Sequence, residues 1–200
     1  MRVEKLRDLI ARLHALPRRR LTLLVGVDGP AAAGKTTFTR ALAALDPGLD
    51  VIQMEDFGLP SAEQPAAPAD PALERVGAEV DWRRLRSHVL LPLSRDLPAR
   101  YQRYDPATDA MAEWRMVPVG GILIVEGRYA CIKALSAFYD FRVWVDSPRE
   151  VRLPRAVGGL WPPDEEAYLA SQDPARSAHM RVDGSGAVAH DPAREYVRLR

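Results

Sequence analysis

The octapeptide Gly29-Pro30-Ala31-Ala32-Ala33-Gly34-Lys35-Thr36 satisfies the pattern G-x-x-x-x-G-K-[ST], whose chemistry is the cradling of phosphate by main-chain N–H groups. In such a loop the N–H groups from Ala31 to Thr37 wrap the phosphates, and the helix that follows turns its positive dipole end toward them. Lys35 reaches the β- and γ-phosphates, Thr36 offers a hydroxyl to Mg²⁺, and glycine at 29 and 34 permits backbone conformations that a Cβ obstructs. The chain has three lysines, Lys5, Lys35 and Lys133. One of them stands where the pattern needs it, which argues against a chance match.

Phosphoryl transfer needs more than a cradle. It needs Mg²⁺ to neutralise the transferring group, a carboxylate to orient or deprotonate the acceptor hydroxyl, and cations over the transition state. Thr36 with Glu126 are the candidates for Mg²⁺, Glu55 or Asp56 for the base, and Lys35, Arg152 and Arg155 for the cations. Glu126 has the alternative of capping Gly127, and Arg152 and Arg155 that of a solvated helix face. His14, His88, His179 and His190 show no metal-ligand spacing, and His88 reads as a packed core residue. The single cysteine, Cys131, reads as a buried structural thiol.

These side chains must be carried by alternating strands and helices. Residues 2–16 have helical apolar spacing ended by Pro17. Leu21–Val27 is an apolar β-branched run ahead of the loop, Thr36–Leu45 restores helical periodicity, and Val51–Met54 reads as a strand that ends in Glu55 and Asp56. The proline-rich stretch 58–72 reads as a loop. Residues 81–96 return to helical spacing, with Asp81 able to cap the start and Pro92 to bend or end it. Segments 99–105 and 113–119 read as a strand pair; 121–127 and 141–146 read as buried strands with a helical stretch, 131–137, between them. The alternation predicts a three-layer α/β/α fold with a mostly parallel five-stranded sheet, a small β insertion at about 97–119 and a short lid at about 152–178, all in one domain, 1–200. Ligands in such a sheet bind at the strands' C-terminal ends. Asp28, Glu55, Asp56, Glu126 and Asp146 gather at that edge.

Net charge is +1 and no long apolar run occurs, so neither nucleic acid nor a membrane is an expected partner. Arg18–Arg20 reads as a solvated connector. One cysteine and an N-terminus with Glu4 and Asp8 among its bases point to the cytoplasm. The sequence leaves room for a homo-oligomer.

From about Leu21 to Gly184 the chain resembles the uridine kinase family of P-loop kinases, through VDGPAAAGKTTF, VIQMEDF, VDWRRLRSHVLLPL, RYQRYDPATD, GGILIVEG, YDFRVWVDSPREVRLPRA and MRVDG. The resemblance implies transfer of the γ-phosphoryl of ATP, with Mg²⁺, to a small-molecule hydroxyl, foremost the 5′-hydroxyl of a nucleoside. It implies Glu55 or Asp56 as base, Asp81, Tyr104 and Asp105 around the acceptor, and Arg152 and Arg155 in a lid. Two departures stand out. The family's Asp-x-Phe-Tyr motif here begins with Glu55 and continues Asp56-Phe57-Gly58, and the segment after Arg155 is poorer in bases than an arginine-rich kinase lid. Trp161 and Tyr168 in it could stack on a base or pack the lid on the body. These departures keep open a pantothenate- or sugar-type kinase and a nucleotide-binding regulatory protein. No N-K-x-D guanine motif occurs, which favours ATP over GTP.

Overall fold

The computed structural model describes residues 1–64, 80–156 and 165–199. Among them, seven strands form a sheet in the order β1 (Arg2–Lys5), β9 (Glu195–Arg198), β8 (Met180–Asp183), β7 (Phe141–Asp146), β2 (Leu23–Asp28), β6 (Ile122–Glu126) and β3 (Leu49–Gln53). The five strands from β8 to β3 run parallel, as the sequence predicts. β9 and β1 extend that sheet antiparallel and were not foreseen. Residues 2–5 read as the start of a helix, yet they pair with β9, and α1 begins at Leu6 (Leu6–His14). The partner that satisfies their backbone lies almost two hundred residues away in sequence, beyond what local periodicity can register.

The side chains of β2 alternate between two cores. Leu23, Val25 and Val27 meet α1 and α2 (Lys35–Leu45), while Leu24 faces the opposite layer with Ile52, Leu123 and Trp144. That is the three-layer arrangement a doubly covered parallel sheet requires.

The second layer includes α3 (Trp82–Leu85), whose start is capped by Asp81 accepting from the Arg84 N–H at 3.0 Å. A π turn, Arg86–Leu90, leads into α4 (Leu91–Leu93). Pro92 lacks the N–H that the regular ladder needs, and the wider turn accommodates it. The extra residue shifts the helical phase, so His88, expected in the core, is exposed. The predicted insertion is a separate hairpin, β4 (Ala99–Asp105) with β5 (Ala110–Val117). It is pinned to the body by buried Tyr101, whose ring stacks on Phe57 at 4.8 Å.

The remaining described helices are short: α5 (Lys133–Ser136), α6 (Arg149–Arg152), α7 (Glu165–Gln172) and α8 (Pro174–Ser177). Trp161 and residues 65–72 of the proline-rich loop lie outside the described residues. No helix among the described residues is long and apolar enough to cross a membrane.

Candidate active site

Parallel register brings the C-terminal ends of β2, β6 and β3 together, with Val27 and Gln53 both opposite Glu126. The glycine-rich loop that begins at Gly29 leaves β2 at that edge. Gly34, at φ +96°, makes the left-handed step that starts α2, a conformation a side chain resists. Beneath the loop Gly184 is in backbone contact with it: a Cβ there would sit 1.8 Å from the Ala33 carbonyl oxygen. The sequence offered no signal for that close approach beyond a glycine after a strand.

The loop residues Ala31, Ala32, Ala33, Gly34, Lys35, Thr36 and Thr37 line a cleft of about 770 Å³, together with Glu55, Arg128, Arg155 and the segment around Gly186–His190. Lys35 is buried and its Nζ donates to the carbonyls of Gly29 at 2.9 Å and Pro30 at 2.8 Å. Burial holds the Lys35 ammonium below its ordinary pKa against the opposing pull of Asp28, Glu126 and Glu55. Thr36 Oγ1 donates to Glu126 Oε1 at 2.8 Å. Glu126 is buried, and desolvation pushes its carboxyl above the ordinary range despite that hydrogen bond. Among the described residues no group of three or more His, Cys, Asp or Glu side chains is arranged to hold a metal ion. A hydroxyl and a carboxylate in contact nonetheless fit Mg²⁺, which takes one or two protein oxygens and fills its octahedron with phosphate and water.

The predicted cations differ in their placement. Arg155 lines the cleft, with its guanidinium on the carbonyls of Gly184 and Ser185, each at 2.8 Å. Arg152 is buried and braces the loop from behind: Nε donates to the Ser147 carbonyl at 2.9 Å, and Nη1 to the Ala31 carbonyl at 3.0 Å and to Glu165 Oε1 at 2.8 Å. Glu165 Oε2 accepts from the Ala31 N–H at 2.7 Å. This corrects the expectation that Arg152 lies over the phosphates, because a buried guanidinium takes the carboxylate and carbonyls that satisfy it.

Asp28, at the end of β2, is a second brace. Its carboxylate accepts from the N–H groups of Gly29 at 2.6 Å and Cys131 at 2.8 Å and from the Tyr168 hydroxyl. Tyr168 is therefore packed on the body, edge-on to Tyr129 at 4.9 Å. Cys131 is buried, with its thiol pushed well up by desolvation.

The two adjacent acids part company because β3 ends at Gln53 and Met54–Phe57 form a 3₁₀ turn. Glu55 is exposed to the cleft. Asp56 is buried and accepts from Tyr101 Oη at 2.6 Å and from Arg115 Nη1 at 3.4 Å. The cavity that Asp56 borders is another one, with Thr39, Arg40, Arg103 and Glu113. The structure thus removes Asp56 from the cleft lined by Ala31–Thr37, where the strand reading had it.

A smaller cavity of about 240 Å³ adjoins the cleft, lined by Met54, Glu55, Gly58, Leu59, Gln64, Val80, Tyr104, Pro106, Arg128 and Tyr129. Tyr104 is one of these lining residues, its hydroxyl donating to Asp109 Oδ1 at 2.8 Å. Asp81 and Asp105 are not among its lining. Asp81 caps α3 beside a separate pocket with Arg84 and His88, and Asp105 accepts from the Ala107 N–H at 3.1 Å in the hairpin turn. Short polar side chains next to helix starts and turns satisfy local N–H groups first.

No protein-family model matches the chain. Among solved structures it is similar to one described as a possible uridine kinase from Bacillus stearothermophilus, at 22% identity and a TM-score of 0.70, covering 88% of this chain and 96% of that one. It is similar also to one assigned as a fructose transport system kinase from Silicibacter sp. TM1040, at 23% identity and a TM-score of 0.59, covering 86% and 91%. Inorganic pyrophosphatase TTM2 of Arabidopsis thaliana is 32% identical over 125 residues, which are 62% of this chain; the match spans 18% of the length of that relative.

Proposed function

We propose, on the uridine kinase-like P-loop kinase fold that this chain has, that the protein is an ATP-dependent phosphotransferase. It carries the γ-phosphoryl group to a hydroxyl of a small molecule, with the 5′-hydroxyl of a nucleoside as the first candidate. The observation that carries this reading is the meeting of two cavities at one exposed carboxylate: Glu55 lines both the phosphate cleft and the smaller cavity. A general base must stand within reach of the acceptor oxygen and the transferring phosphorus together.

Each residue then has a task. The loop from Gly29 and Pro30 through Thr37 cradles the phosphates, Lys35 is within the loop to reach them, and Arg155 adds positive charge at the cleft. Thr36 and Glu126 would hold Mg²⁺, which when bound neutralises charge on the phosphates. Glu55 orients the hydroxyl and takes its proton. Tyr104 offers an aromatic face to the acceptor. Asp56 supports the hairpin through Tyr101. Residues 1–200 work as one domain, and a buried free thiol suits a reducing cytoplasm.

The test is Mg²⁺-dependent ADP release measured across nucleosides, fructose and other sugars, and pantothenate. Pyrophosphate hydrolysis serves as a separate arm because of the name of the Arabidopsis relative. Release that depends on one acceptor class supports the kinase and names its substrate. Tight MgATP binding with no acceptor-dependent release would replace it with a nucleotide-binding regulatory role. Loss of pyrophosphate without any use of ATP would replace it with a hydrolase.

A further inference from the structure

We propose that His190 selects the base of the nucleotide, accepting a hydrogen bond from the exocyclic amine of adenine and so turning away guanine. The inference rests on the reading of the 770 Å³ cleft as a nucleotide site, and adds to it a side chain that the sequence only set aside from metal binding.

The cleft is lined by two unlike groups of residues. The loop Ala31–Thr37, with Lys35 in it, and Arg155 supply charge and main-chain N–H groups, which suit phosphate. Val188, Ala189 and Pro192 supply an apolar wall, which suits the face of a base. Of the lining residues from Gly186 to Pro192, His190 alone has a polar side chain. Pockets of this composition take their specificity from such single polar groups.

The state of the ring follows from its one hydrogen bond. Nδ1 is 2.8 Å from the Val188 carbonyl oxygen. A carbonyl can only accept, so this bond places the proton on Nδ1 and leaves Nε2 of the neutral ring as an acceptor. Among the described residues Nε2 has no hydrogen-bond partner. His190 is half-buried in the cleft wall, and an acceptor there calls for a donor on the ligand. Adenine carries an amine, a donor, at the position where guanine carries the O6 acceptor. Nε2 gains a hydrogen bond with the first and meets a second lone pair with the other.

The chain holds the segment that carries the ring on both sides. Residues 184–189 read Gly-Ser-Gly-Ala-Val-Ala, so His190 is the first ring after β8. The Gly184 N–H donates to the Asp146 carbonyl at 2.7 Å and the Ser185 N–H to Asp183 Oδ1 at 3.0 Å. Arg155 donates to the carbonyls of Gly184 and Ser185. Beyond the ring, the Asp191 N–H donates to Glu195 Oε2 at 3.0 Å and its carbonyl accepts from the Glu195 N–H at 2.7 Å, after which β9 enters the sheet between β8 and β1. A side chain fixed in this way loses little freedom on binding, so a single hydrogen bond can discriminate.

Purine riboside triphosphate differs from ATP in lacking the exocyclic amine. Its dissociation constant with Mg²⁺, set beside those of MgATP and MgGTP by calorimetry, reads the bond without acceptor or turnover. The wild type is expected to bind ATP about three- to tenfold more tightly than the purine analogue, and GTP more weakly than either. His190→Phe keeps a ring on the apolar wall and lacks the acceptor, so ATP and the analogue should come within about twofold of each other. His190→Gln can turn its amide to accept from the amine or donate to O6, so ATP and GTP should come within about threefold; it also covers the case in which the phenylalanine variant is unfolded. Equal wild-type affinities for ATP and the analogue overturn the role of His190 and leave the nucleotide reading standing. So does a wild-type preference retained in either folded variant. A wild type that binds none of the three overturns the nucleotide reading, and the proposal with it.

Discussion

The Asp56 carboxylate accepts a hydrogen bond from the buried Tyr101 hydroxyl at 2.6 Å, and this contact separates it from its neighbour Glu55, which opens on the cleft lined by Ala31–Thr37. The two acids are therefore expected to fail in different ways. Glu55→Gln should lower kcat by about 10²–10⁴-fold with nucleotide affinity nearly preserved. Asp56→Asn should cost about 1–3 kcal/mol of stability by weakening a buried hydrogen bond, and leave kcat per folded molecule within about threefold. ADP-release kinetics and urea unfolding of both variants check the pair; a large kcat loss in Asp56→Asn with stability unchanged would reverse the assignment.

Glu126 bears on stability with a definite sign. Desolvation raises its pKa above 4.5 in the folded state, so the contribution it makes to stability is present at low pH and is lost as pH rises through the folded value. Glu126→Gln should flatten that part of the melting-temperature profile above about pH 4.5 and leave the nucleotide-free protein at least as stable once the wild-type carboxyl is ionised. The same substitution should remove the Mg²⁺-dependent share of ATP stabilisation. Melting curves with ATP plus Mg²⁺ and with ATP plus a chelator measure this, and an unchanged Mg²⁺ response would remove Glu126 from the metal site.

Lys35 has the opposite shift. Its pKa is lowered by burial, so the stability it contributes is present above the ordinary lysine range and is lost as pH falls through the folded value; near neutrality the charged form is a cost. Lys35→Met should leave the nucleotide-free fold intact or more stable. In the wild type, MgATP at ~100 times its Kd should add about 2.7 kcal/mol, and the variant should show almost none of that shift. A full thermal shift in Lys35→Met would sink the phosphate-loop assignment.

Arg152 and Glu165 form an ion pair at 2.8 Å with side chains 6% and 3% exposed. Removing one partner strands the other, so Glu165→Ala should cost about 3–5 kcal/mol in urea unfolding, and the apolar double variant Arg152→Met, Glu165→Leu should recover much of the loss. If Glu165→Ala costs less than about 1 kcal/mol, the pair is not the brace behind the loop.

The features legible in the sequence were those that a short stretch of chain determines by itself. The glycine and lysine spacing of the phosphate loop, the apolar runs of β2, β6 and β7 and the Asp81 cap all depend on neighbours within a few residues. Tertiary structure decided which side chains meet. Glu55 and Asp56 diverge because a 3₁₀ turn replaces the end of a strand and because Tyr101, 45 residues on, has a hydroxyl to place. Arg152 turns behind the loop because Glu165 and a carbonyl 121 residues earlier satisfy it. Tyr168 joins the core through Asp28, 140 residues away, and β1 finds its partner at the other end of the chain. Backbone periodicity is a local property, whereas the burial of a charge or hydroxyl is settled by whichever distant group can satisfy it, and that pairing exists only once the layers have packed.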